Sequence, residues 1–151
     1  MGRDVVLGIG NRLRGDDAVG SMVIDELRGT VEAELFDGES VPESYIEPIA
    51  RVKPRRILIV DACAFGGEPG EFRLFDRTAL ARLAQGSIST HTLPLSLFIE
   101  LVREQTGAEV WLLGVQPLQL EFGTGLSVPV AQALPQIVRF CREWAAGRTN
   151  G

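Results

Sequence analysis

Ile57-Leu58-Ile59-Val60 is apolar at every position and rich in β-branched side chains. A strand with one wet face alternates apolar and polar residues. A strand apolar on both faces must be covered on both, as at the centre of a parallel sheet. Residues 5–9 and 110–115 are short apolar runs of the same kind, and 31–36 reads as a further strand. Residues 71–75 alternate and fit an edge strand. Between these runs the period changes. Val19, Met22, Val23 and Leu27 recur at helical spacing, with Asp16 as an N-cap candidate and Gly29 as a stop. Residues 40–49, 93–103 and 130–144 also read as helices, with Pro42 and Pro94 tolerable in first turns. Residues 116–125 read as irregular or weakly extended. The expectation is an α/β three-layer sandwich: a mostly parallel, twisted sheet of about five strands flanked by helices. Residues 1–151 are read as a single domain with a frayed tail over about 147–151.

Composition removes several functions. The chain has 15 basic and 20 acidic residues, a net charge of -5. This gives no basic footprint for nucleic acid. No apolar run approaches the ~20 residues of a membrane span. The opening residues lead straight into a strand and carry no secretory pattern, so a cytoplasmic location is expected. Cys63 and Cys141 are the only cysteines, too few for a disulfide framework or a structural zinc site. Lys53 is the only lysine, and no Walker signature surrounds it. His91 is the only histidine, so all imidazole chemistry falls to it.

In open α/β sheets, ligands sit outside the carboxyl ends of the strands. Gly10, Asn11, Asp16 and Asp17 follow the first strand. Asp61 follows the central one, and Ser89-Thr90-His91 lies between later elements. Gly8-Ile9-Gly10 invites a dinucleotide reading, but Leu13 replaces the third glycine and two aspartates sit where a pyrophosphate would bind. Asp16 and Asp17 each have a plain reading as acids at a helix N-terminus. Asp61 has one as an acceptor that organises a turn. Taken together, carboxylates and an imidazole on three rim loops form a donor set for nickel, zinc or iron. Cys63 with His91 offers a different route, a nucleophilic dyad, set against packing of a small apolar side chain. Ser89 lacks the strained elbow of a hydrolase serine and reads as a turn residue.

Four ordered blocks then resemble a known family. They are Gly8-Ile9-Gly10-Asn11-x-Leu13-x-Gly15-Asp16-Asp17-x-Val19-Gly20; Val41-Pro42-Glu43-Ser44-Tyr45; Ile59-Val60-Asp61-Ala62 with Gly66-Gly67-Glu68-Pro69-Gly70; and Ser89-Thr90-His91-x-Leu93-Pro94-Leu95-Ser96. They are similar to the [NiFe]-hydrogenase maturation endopeptidases, in the branch serving formate-hydrogenlyase and energy-converting hydrogenases. The resemblance implies a hydrolase that removes the C-terminal extension of a [NiFe]-hydrogenase large-subunit precursor after nickel insertion. It implies that Asp17, Asp61 and His91 are both the catalytic and the metal-contacting residues. The nickel is carried by the client and not permanently bound, and cadmium or zinc can substitute. It implies the precursor as partner; composition leaves no nucleic-acid and no membrane partner, and a small compact α/β domain can act as a monomer. Ala18 stands where many members have glycine. Two carboxylates and a neutral imidazole leave room for client thiolates, and such contact should weaken below the histidine pKa of ~6.5. Direct water attack on the peptide carbonyl is the expected chemical step. The competing readings are a Cys63/His91 hydrolase of small amides or esters and a non-enzymatic nickel-binding hydrogenase chaperone.

Overall fold

The computed structural model describes residues 3–83 and 94–148. Its strands are β1 (Asp4–Gly8), β2 (Glu34–Asp37), β3 (Arg56–Ala62), β4 (Phe72–Phe75) and β5 (Glu109–Val115). Its α-helices are α1 (Val19–Leu27), α2 (Ile46–Val52), α3 (Arg77–Leu83), α4 (Leu95–Thr106) and α5 (Val128–Ala145). Short 3₁₀ turns, Gly15–Ala18 and Pro42–Tyr45, lead into α1 and α2. The strands form one sheet in the order β2-β1-β3-β5-β4. Neighbours are parallel except β4, which runs antiparallel to β5 at the edge.

The period-2 geometry of strands explains why the central runs are apolar throughout. Val5, Leu7, Ile57, Ile59, Val110 and Leu112 face α2, α3 and α4. Val6, Leu58, Val60, Leu113 and Val115 face α1 and α5. Both faces are therefore covered, and the three-layer sandwich holds. At the amino edge, Arg56 pairs with Asp4 and lies 4.1 Å over the Trp144 ring, tying β1, β3 and α5 together. Among the described residues, no helix is long and apolar enough to cross a membrane.

Boundaries differ in places. β2 begins at Glu34, because its ladder with β1 runs only from Val5↔Glu34 to Gly8↔Asp37. The helix read at 40–49 is a 3₁₀ turn followed by α2, which reaches Val52. α3 was not anticipated, although its signal is local: the Asp76 carboxylate accepts the Ala79 N–H at 2.8 Å, as an N-cap does. β3 continues through Ala62, so Asp61 lies within the strand and not after it.

Candidate active site

The carboxyl edge of the sheet is where the sequence places its acids. Gly20 lets α1 descend onto this edge. A Cβ there would lie 2.4 Å from the Ile9 carbonyl oxygen and 2.5 Å from that of Val60. Both are backbone atoms, so only glycine permits the approach. The 3₁₀ turn just before α1 is thereby pressed against the ends of β1 and β3. At Gly10 (φ 145°) a Cβ would fall 1.7 Å from the Asp17 carbonyl oxygen and 3.7 Å from its Cγ. Asp17 thus sits over the end of β1, and its Oδ2 accepts the Asn11 N–H at 2.8 Å. The Ile9 N–H reaches the Val60 carbonyl at 2.9 Å, and Asp61 is the next residue of β3. Alternation gives Asp61 the same face as Ile57 and Ile59, the side of α2 and α4.

Burial singles these acids out. Asp16 is 0% exposed, and Asp17 and Asp61 are each 1% exposed. Among the described residues they are the only buried carboxylates, and all three lie at this edge. Burying a charge costs several kcal/mol, so such a cluster has a task.

The task of Asp16 is visible, and it is not capping. The N-cap of α1 is Ala18. Asp16 Oδ2 accepts the N–H groups of Leu118 and Gln119 at 2.8 and 3.0 Å and the Ser127 hydroxyl at 2.8 Å. Its Oδ1 accepts the Ser127 N–H at 2.7 Å. One carboxylate therefore fastens the segment before α5 to the turn that carries Asp17. Sequence reasoning missed this, as it missed two other fixings of the rim. Gln116 Oε1 accepts the N–H groups of Phe65 and Gly67 at 2.9 and 3.1 Å, holding the glycine-rich loop after β3. Arg12 binds Asp25 through two bonds, at 2.7 and 2.8 Å, and Asp37 at 2.7 Å. That guanidinium holds the Asp25 carboxyl below the ordinary aspartate range, and the two acids push Arg12 up.

Cys63 lies in the core between β3, β4 and β5, its Sγ 3.7 Å from the Cβ position of Gly114. Burial, with the Asp61 charge behind it, pushes its thiol up to about 12. At neutral pH it is a buried thiol and not a thiolate nucleophile. His91 and Ser89 lie outside the described residues. Pro94, three residues after His91 in sequence, precedes α4, which runs to Gly107 and hands the chain to the start of β5. Since β5 is parallel to β3, α4 begins at the carboxyl edge. Among the described residues, no group of three His, Cys, Asp or Glu side chains is placed to hold a metal ion.

A family model described as HycI, hydrogenase maturation protease, matches residues 22–144. The chain belongs to the hydrogenase maturation protease family. It is an endopeptidase, a hydrolase of peptide bonds. The hydrogenase 3 maturation protease of Escherichia coli K12 is 33% identical over 143 residues, spanning 93% of this chain and 90% of that protein. The crystal structure of a [NiFe] hydrogenase maturation protease HycI from Thermococcus kodakarensis KOD1 superposes with TM-score 0.80. It is 34% identical and covers 95% of this chain and 92% of its own. The hydrogenase maturating endopeptidase HybD from E. coli gives TM-score 0.73 at 28% identity, with 94% and 93% coverage. Proteases of this family act on hydrogenase precursors. The sandwich expected from the sequence is the fold of these maturation proteases.

Proposed function

We propose that this maturation protease removes the C-terminal extension of a [NiFe]-hydrogenase large-subunit precursor, in the cytoplasm and as a monomer, once the client holds nickel. Asp17, Asp61 and His91 contact that nickel, which arrives as part of the substrate. The observation that carries this reading is the burial of Asp17 and Asp61 at the ends of neighbouring strands, in a member of this family. Carboxylate oxygens on neighbouring strand ends are donors of the kind that divalent first-row ions accept. An imidazole adds a third donor and leaves positions for the client's thiolates. A site that the client completes works as a checkpoint: without nickel, the cleavable segment is not held beside the acids.

For the chemical step, a water adds to the peptide carbonyl carbon. One carboxylate of the pair takes its proton and the amide nitrogen leaves protonated. Client-borne nickel held by Asp17, Asp61 and His91 would supply Lewis acidity toward the water or the carbonyl oxygen. The high thiol pKa of Cys63 disfavours the cysteine-hydrolase reading.

Purified nickel-loaded precursor, followed by intact mass, tests the proposal. Wild type should release the extension from loaded precursor and leave nickel-free precursor whole. Asp17→Asn, Asp61→Asn and His91→Ala should each abolish release, with circular dichroism unchanged. Retained cleavage by His91→Ala removes the ligand assignment. Binding without mass loss by wild type would favour the non-enzymatic chaperone.

A further inference from the structure

The loop between β1 and α1 is clasped from two sides. β2 ends at Asp37, and that carboxylate gathers three partners. Its Oδ1 accepts the Ser21 hydroxyl at 2.6 Å and the Glu39 N–H at 3.3 Å, and its Oδ2 accepts Arg12 at 2.7 Å. Ser21, on α1, is fully buried. The Arg12 guanidinium also takes both oxygens of Asp25 on α1. Arg12 thereby fastens the loop to β2 and to α1 at once. Glu39 is held at φ 50°, a conformation that a residue with a side chain rarely adopts unless its surroundings hold it. Its carbonyl accepts the Gly10 N–H at 2.7 Å. Asn11 lies between these two fastenings. Its Oδ1 accepts the Leu13 N–H at 2.8 Å, and its carbonyl accepts the Arg14 N–H at 3.1 Å. Its own N–H donates to Asp17 Oδ2 at 2.8 Å. A carboxylate is planar, so holding one oxygen narrows the directions open to the other. An exposed ion pair contributes little to stability, but a two-pronged Arg–carboxylate contact joined to a second acid has the geometry to hold a loop still.

We propose that Arg12 is a positioning residue for the cleavage reaction: its clasp on Asp37 and Asp25 fixes the Asn11 peptide, whose N–H aims the Asp17 carboxylate. The inference rests on the reading that Asp17 meets the client's nickel. Arg12 acts through Asn11, the residue before it, and Asp37 and Asp25 act through Arg12. Removing a partner that orients a metal-contacting ligand typically costs ~10–100-fold in affinity or activity. Arg12 stands one step further out, so its effect belongs at the lower end of that range.

Cleavage of nickel-loaded precursor, followed by intact mass beside amide NMR of the free enzyme, tests the clasp. In Arg12→Met, kcat/KM should fall about tenfold. Tm should fall by no more than about 4 °C, the scale of an exposed ion pair. The Asn11 amide proton should move upfield and exchange faster, because its bond to a charged acceptor loosens. Asp37→Asn should do the same, and the double variant should lose about as much as either alone, since both break one clasp. Arg51→Met, which breaks the exposed pair with Glu47 on α2, should change neither readout. Normal kcat/KM in Arg12→Met beside an inactive Asp17→Asn overturns the positioning role and leaves the proposed function intact. A fall in kcat/KM with the Asn11 resonance unmoved overturns the route through Asn11. Additive losses in the double variant would mean two separate effects and overturn the shared clasp. If Asp17→Asn cleaves normally, the proposed reading of Asp17 fails and this inference falls with it.

Discussion

Replacing Asp16 with asparagine tests the least expected feature of the site. The side chain keeps its shape, but one acceptor oxygen becomes a donor. In the better orientation the amide oxygen takes the place of Oδ2 and keeps Leu118, Gln119 and Ser127 Oγ as partners. Its NH₂ then stands where Oδ1 stood, 2.7 Å from the Ser127 nitrogen, with two donors opposed. A hydrogen bond to a charged acceptor contributes ~1.5–3 kcal/mol against ~0.5–1.5 for a neutral one. Three weakened bonds and one lost bond therefore cost about 4.5–7.5 kcal/mol. Burying a neutral amide in place of a carboxylate offsets part of this. The net loss should be about 2–4 kcal/mol, and a domain of this size loses roughly 2–4 °C in Tm per kcal/mol. Differential scanning calorimetry should therefore show a fall of roughly 4–16 °C. A helix cap is worth only ~1 kcal/mol. A fall below about 4 °C would show that these four bonds contribute far less than this reckoning gives them. Hydrogen exchange gives a second reading of the same event: the Leu118, Gln119 and Ser127 amides should lose protection in the variant. Unchanged protection there would refute the reasoning whatever the Tm.

Two further predictions concern titrating groups. With its thiol pushed up to about 12, Cys63 should resist iodoacetamide at pH 8, and treated enzyme should still process precursor. Rapid labelling of Cys63 with loss of cleavage would restore the cysteine route. Arg12→Met should return the Asp25 carboxyl to the ordinary aspartate range, measured by carboxyl-carbon NMR across an acid titration. Because the folded value is depressed, the pair's contribution is present above the ordinary range and lost as pH falls through the folded value. Exposure of both partners keeps that contribution small. An Asp25 titration unmoved by the variant would show that Arg12 does not set it.

What could be read from the sequence followed from local chemistry. Ile57 to Val60 are apolar because the sheet is covered on both faces, so β3 and its place at the centre were legible from four residues. Asp61 was legible for the same reason: an acid at the end of a run that admits no water stands out. Asp76 carries an equally local signal for α3, but seven residues are too few to show a helical period in the sequence. The fixings of the rim were not legible at all. The donors to Asp16 are 102 to 111 residues away, and those to Gln116 are 49 and 51 away, in loops without periodicity.

The adjacent aspartates show where such reading stops. Both are acids at the head of a helix, and composition, spacing and capping rules treat them alike. The backbone separates them. They lie in a 3₁₀ turn with about three residues per turn, so neighbouring side chains point some 120° apart. Asp16 is turned toward residues 118–127 and Asp17 toward Gly10 and Asn11. Gly20 lets α1 close onto the ends of β1 and β3, and the turn that precedes α1 lies against those ends. The turn, with its partners at residues 118–127 on one side and Asn11 on the other, thus separates the acid that fastens the rim from the one at the strand ends. The difference lies in partners 102 to 111 residues away for Asp16 and six away for Asp17, and no pattern confined to residues 16 and 17 records it.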